Sequence, residues 1–173
     1  MNSTLVQVSI DSIRVSLVSP HRIVVLKDER DHFLPIWIGP FEADAIRIAL
    51  EGNQVARPLT HDLFKNLLNH IGGKPSHIVV TDLREDTFFA QLVMDVGAQR
   101  IELDSRPSDA IALAVRLQVP IYVDAGVMRK AAIRPSQSVE TPAEEEEKLD
   151  AFRDLLQDLD LDGLGKGSDS KED

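Results

Sequence analysis

Cysteine is absent from the chain, which excludes disulfides, thiolate metal sites and a cysteine nucleophile and suits a reducing compartment. Aromatic residues are scarce, with one tryptophan and one tyrosine, and the interleaved basic and aromatic pattern of RNA-binding platforms is missing. No apolar run reaches the length that crosses a bilayer. The opening MNSTLVQVSIDSIRV has neither a basic start nor a continuous apolar stretch, so no signal peptide is expected and a cytoplasmic setting is. The sequence lacks a P-loop, G-x-G-x-x-G, G-x-S-x-G and H-E-x-x-H, and no histidine pair has metal-ligand spacing on one helix.

Basic charge is also short, with a net charge of −10, but the deficit is local. Residues 140–173 hold 13 acids against 4 bases, and residues 1–139 hold 16 against 15. The acidity is that of a tail, and a phosphate-binding face on the near-neutral remainder stays open. With 43% hydrophobic residues the chain can build an ordinary core.

Alternation in Val6, Val8, Ile10 and then Ile13, Val15, Leu17 predicts one long strand with a bulge where the series slips. Ser19-Pro20-His21 reads as a turn, 22–27 and 33–38 as strands, and 28–31 as a charged hairpin loop. Gly39-Pro40 breaks the third strand, and Ala45, Ile46, Ala49 and Leu50 mark a helix over 41–51 that Gly52 stops. Thr60 is expected to cap a second helix, 61–71. Strands at 76–83, 87–96 and 100–103 follow, then a helix to about Leu117 capped by Ser108 or Asp104, a short strand at 119–123 and a last helical turn at 124–130. The order β-β-β-α thus occurs twice, and an ungapped offset of 65 residues aligns Asp44-Ala45-Ile46 with Asp109-Ala110-Ile111 and Ala49 with Ala114.

The expected fold class is α+β: duplicated β-β-β-α units with mainly antiparallel strands and packed helices, plus a C-terminal amphipathic helix. The expected organisation is one domain over 1–135 (repeats about 10–70 and 75–135), a linker at 136–143, an amphipathic helix at 144–162 and a disordered tail at 163–173. Leu149, Phe152, Leu155, Leu156 and Leu159 give that helix its apolar stripe, a face for a protein partner.

Two polar clusters open otherwise apolar helices. In Asp104-Ser105-Arg106-Pro107-Ser108-Asp109, two carboxylates, a forked cation and a hydroxyl gather at a helix start, where free N–H groups favour anions. The same residues also suit plain roles: Asp104 or Ser108 as cap, Pro107 in the first turn, Arg106 paired with Asp109. In Arg57-Pro58-Leu59-Thr60-His61-Asp62, His61 suits a general base or metal ligand with Asp62 as ligand or orienter, or Asp62 merely complements the helix dipole. Glu42 is a first-turn acid or a further carboxylate of the set. Trp37 and Phe41 are expected to pack rather than stack on bases. His21, His32, His70 and His77 read as surface residues.

Together, Leu34-Pro35-Ile36-Trp37-Ile38-Gly39 with Glu42, then Arg57-Pro58-Leu59-Thr60-His61-Asp62-Leu63, Phe88-Phe89-Ala90 and Asp104-Ser105-Arg106-Pro107-Ser108-Asp109-Ala110 resemble the successive motifs of the bifunctional nuclease domain over about residues 5–133. Ser105 replaces a more usual alanine, and Phe89 a tyrosine. The resemblance implies an α+β fold of duplicated units, often dimeric, with DNase and RNase activity, and in some members a C-terminal UVR-type helical module.

On that basis the expected function is metal-assisted hydrolysis of phosphodiester bonds in DNA and RNA. His61, Asp62, Asp104 and Asp109 are the catalytic candidates. Arg57, Arg106 and Ser108 would bind phosphate, and Asp104, Asp109 and Glu42 would hold Mg²⁺ or Mn²⁺. The alternative is a non-enzymatic dimeric module that binds a ligand or a protein.

Overall fold

A long strand that changes partners midway organises the sheet. The computed structural model describes residues 4–15, 22–53 and 55–134. Strand β1 (Leu5–Val15) pairs antiparallel with β2 (Arg22–Lys27) through Ser9–Val15, and with β7 (Ile121–Asp124) through Leu5–Val8. The expected bulge lies between Ile10 and Ser12, beside this change of partner. Strand β3 (Phe33–Ile38) flanks β2 at one edge of the sheet. Pro35 is tolerated there because β3 has only one ladder to maintain.

The second half repeats the meander. Strands β4 (Gly73–Arg84), β5 (Thr87–Val96) and β6 (Gln99–Ser105) are antiparallel neighbours. Strand β7 joins the halves, parallel to β4 and antiparallel to β1, in the order β3-β2-β1-β7-β4-β5-β6. Ile121 stands between Val8 and Ile78, all three buried. The expected turn at Ser19–His21 and everything expected over 136–173 lie outside the described residues.

Helices α1 (Pro40–Leu50), α2 (Thr60–His70), α3 (Pro107–Leu117) and α4 (Ala125–Ala131) complete the α+β fold. Both α1 and α3 begin on proline, whose fixed φ suits a first helical position. Two expected caps are corrected. Thr60 is the first helical residue rather than the cap; Leu59 holds the cap position, and Asp62 reaches back to accept its N–H at 2.9 Å. Before α3 the cap position belongs to Arg106, and neither Asp104 nor Ser108 caps, because Pro107 starts the helix one residue before Ser108. Helix α3 is buried on nearly every side, and its alanines at 110, 112 and 114 let α1 and the sheet approach closely.

One buried cation ties the three long helices together. The Arg116 side chain is 5% exposed. Its Nε donates to Asp62 Oδ1 of α2 at 2.7 Å, and its Nη1 donates to the carbonyls of Ala45 in α1 and Ala112 in α3, each at 3.0 Å. Lys65 of α2 donates in turn to the Arg116 carbonyl at 2.8 Å. Burial works to raise the Asp62 carboxyl, but the Leu59 N–H and the Arg116 guanidinium outweigh it and hold that group below the usual carboxylate range.

Ile111 is fully buried, and Ile111→Ala should cost about 2–5 kcal/mol in urea unfolding, because α3 is held on several sides and cannot collapse onto the void. Asp62→Ala leaves the Arg116 charge buried without its partner and should cost about 3–5 kcal/mol at neutral pH. Its folded value being depressed, Asp62 stabilises the fold above the unfolded value of about 3.9 and loses that contribution as pH falls through the folded value. The variant should therefore lose less stability than the parent between pH 5 and pH 3, measured by urea midpoints; parallel slopes would refute the assignment.

Candidate active site

The N-terminal turns of α1, α2 and α3 open onto one cavity of about 600 Å³. Each contributes a polar side chain from its second or third helical position: Glu42 from α1, His61 from α2 and Asp109 from α3. Gly39, just before α1, makes the Glu42 position possible, because a Cβ there would collide with the Glu42 carboxylate folded over it.

A chain of contacts joins the three. His61 Nε2 donates to Asp109 Oδ1 at 3.2 Å. An ionised carboxylate only accepts, so Nε2 carries the proton and Nδ1 of the neutral ring is left to accept one. Arg106 spans the gap to α1: its Nε and Nη2 donate to Asp109 at 2.8 and 3.2 Å, and its Nη1 donates to Glu42 Oε1 at 2.9 Å. Burial works to raise the Asp109 carboxyl, but the guanidinium and the His61 ring prevail and keep it below the usual carboxylate range. The Arg106 side chain is 65% exposed, whereas His61 is 15% exposed. The cation thus faces solvent and the imidazole is sheltered.

The two polar stretches meet, but not in full. His61, Asp109, Arg106 and Glu42 share the cavity. Asp62, next to His61, turns instead to Arg116 and the Leu59 N–H. Ser108 is buried and lines a neighbouring cavity of about 340 Å³, which Arg106 also lines. Asp104 lies exposed on edge strand β6, and Arg57 lies exposed before α2; neither lines either cavity. Among the described residues no group of three or more His, Asp or Glu side chains stands ready to hold a metal ion.

Three features of the structure run against the sequence pattern. Phe41 is 85% exposed at the mouth of the cavity and Trp37 is 59% exposed beside the neighbouring one, whereas both were expected to pack. The signal for Phe41 was its place directly before Glu42 in the first turn, where an apolar side chain has little helix to lie against. Arg116 was hidden as one more polar position, although it follows Asp109 by seven residues and so shares its face of α3. His32, read as a surface residue, is half-buried against Asp28.

Comparison with known proteins adds to this geometry. A family model described as "Bifunctional nuclease domain" matches residues 24–136. An uncharacterized protein of Mycobacterium tuberculosis is 36% identical over 160 residues, which cover 90% of this chain and 96% of that one. "Bifunctional nuclease 1" of Arabidopsis thaliana is 32% identical over 132 residues, covering 72% of this chain and 41% of that protein. "Bifunctional nuclease 1" of Oryza sativa subsp. japonica is 28% identical over 146 residues, covering 82% and 44%. The chain thus spans less than half the length of these plant relatives. With the family model matched over residues 24–136 and relatives named for it aligned across most of the chain, the chain belongs to the bifunctional nuclease family.

Proposed function

We propose that the cavity at the three helix starts is a nuclease site that hydrolyses phosphodiester bonds of DNA and RNA in single-stranded form. The observation that carries this reading is the continuous chain His61–Asp109–Arg106–Glu42 in one open cavity, with an exposed phenyl ring at its mouth. Asp109 fixes the tautomer of His61, and Nδ1 takes a proton from the attacking water. Arg106, exposed and held only by side chains, turns its fork onto the phosphate, where it offsets the charge that develops. Water adds to phosphorus, the ester oxygen leaves with a proton, and the products are a phosphomonoester and an alcohol. Phe41 and Trp37 give flanking bases a surface to stack on, which every base can use.

The donor set also fits a hard cation of the Mg²⁺ or Mn²⁺ type. Such ions take one or two carboxylates and fill the remaining positions with water and phosphate oxygens. Glu42 and Asp109 would hold the ion in place of the guanidinium, and it would supply further charge neutralisation. Asp62 acts in this reading as a positioning residue through Arg116, and Asp104 and Arg57 take no part in it.

The wider reading includes duplicated units, a homodimer and a cytoplasmic setting. Helices α1 and α3 each run eleven residues from a proline after a three-stranded meander, which supports duplication, with Pro40 falling on Pro107 and hence Glu42, not the expected Asp44, on Asp109. Leu63, Leu67 and Ile71 form an exposed stripe along α2 that a second copy would cover. A second reading, a non-enzymatic binding module, is favoured by one observation: Arg106 is already paired with two carboxylates.

The test compares the full chain with His61→Ala and Arg106→Ala, purified in parallel and assayed on single-stranded DNA and RNA with Mg²⁺, with Mn²⁺ and with chelator. Loss of the base should lower the rate by about 10²–10⁴-fold without a comparable loss of binding. Equal cleavage by parent and variants would end the nuclease reading, and saturable binding without turnover would establish the second. Phe41→Ala should weaken single-strand binding by about 1–3 kcal/mol in a fluorescence titration and leave duplex binding little changed.

A further inference from the structure

A second polar site lies at the other end of β3. The cavity described above opens just past Ile38, and the second begins just before Phe33, so the six residues of β3 separate them by about 20 Å. This second cavity, of about 580 Å³, is lined by the first residues of β1, by the β2–β3 turn and by α4.

Its polar wall is built in series. Asp28 is buried, and its Oδ1 accepts the N–H groups of Arg30 and His32 at 2.8 and 2.9 Å. Its Oδ2 accepts from His32 Nδ1 at 2.7 Å, which places the imidazole proton on Nδ1. His32 Nε2 then accepts from Arg134 Nε at 2.7 Å. Arg134 is placed by its neighbour, since Ile133 and Phe33 exchange two backbone hydrogen bonds of 2.8 Å. The guanidinium of Arg134 is therefore held at Nε beside the cavity, and among the described residues its two terminal nitrogens have no partner. Arg30 and Arg129 line the cavity itself, and among the described residues neither side chain has an ion-pair partner.

Two arginines thus line a cavity whose one uncompensated acid among the described residues is Glu29, because the Asp28 carboxylate is consumed by three donors, and a third arginine, Arg134, is bonded to the cavity's His32. Leu5, Ala125 and Met128 supply an apolar floor. The volume lies within the range of small-molecule sites.

We infer that this cavity binds a small phosphomonoester, its phosphate held by the forks of Arg134 and Arg129 and its non-polar body resting on Leu5 and Met128. Arginine suits the group because its planar donors match two phosphate oxygens at once. Asp28 and His32 are positioning residues: they touch Arg134, not the ligand. The site belongs to the β2–β3 turn and does not depend on the reading of the first cavity.

Calorimetric titration of the full chain with adenosine 5′-monophosphate and with inorganic phosphate tests it. One molecule should bind per chain, the nucleotide more tightly than phosphate alone. Arg134→Ala and Arg129→Ala should each weaken binding at least tenfold, and Arg106→Ala should leave it within twofold. His32→Leu should weaken it similarly, whereas His32→Gln, which can donate to Asp28 and accept from Arg134, should restore most of it; a merely structural role would not distinguish the two. Absence of saturable binding, indifference to Arg134 and Arg129, or loss on Arg106→Ala would each overturn the assignment, the last by placing the ligand in the first cavity.

Discussion

The arrangement of the first cavity rests on the burial of Arg116. A cation removed from water costs several kcal/mol unless its donors are used. Here one carboxylate and two carbonyls, from three helices, answer its Nε and Nη1, while Nη2 lies buried with no partner among the described residues. Because those partners lie on separate elements, satisfying the charge and fixing the helices are the same event. Asp62 and His61 are consecutive residues at the start of α2 and project about a quarter-turn apart. Once Asp62 is drawn to Arg116, His61 is carried to the side where Asp109 waits. A hydrophobic residue at 116 would keep the packing and leave that rotation unspecified.

Arg106 is the opposite kind of cation. It is exposed, it contacts only side chains, and exposed pairs of this sort contribute little, about 0–1 kcal/mol. Redirecting it therefore costs little, whereas displacing Arg116 would dismantle three helix contacts. The two arginines divide the labour by burial: the sheltered one sets geometry, and the exposed one can exchange its carboxylates for a ligand. Asp109 connects them, since it lies on the same helix as Arg116 and directly holds both Arg106 and the His61 ring.

Local periodicity made most elements legible. The slip between Ile10 and Ile13 marked the bulge, Gly52 and Gly72 marked helix ends, and the dense apolar run at 22–27 marked a central strand. The twofold β-β-β-α pattern pointed to equivalent places for the junctions near 39–42 and 104–109, whereas nothing local announced that the stretch at 57–62 would meet them, because α2 lacks a clear counterpart in the second half. What stayed hidden depends on non-local pairing. The insertion of β7 between β1 and β4 leaves no mark on its four residues. The cap positions were missed because Leu59 and Arg106 cap nothing with their side chains, and Thr60 and Ser108 are the better formers on propensity. Asp104 looked equivalent to Asp109, yet a strand and a helix meet between them, and the two carboxylates end on different elements.

The β2–β3 turn shows why a local reading also misjudges histidines. Asp28 serves the turn first: its Oδ1 replaces backbone partners for two N–H groups, as short acidic side chains commonly do in turns. That duty leaves Oδ2 aimed at a residue four positions later, and the ring of His32 is oriented by a carboxylate whose own placement the turn has already fixed. Burial works against ionisation of Asp28, but the His32 N–H, the His32 ring and the Arg30 N–H prevail and hold it below the usual carboxylate range. The charge is thereby spent inside the turn, so the cavity beside it is governed by its arginines rather than by its acids. A turn read as four charged residues would be called a solvated loop. Read through its hydrogen bonds, it is a rigid mount for a guanidinium that arrives from a hundred residues further along the chain.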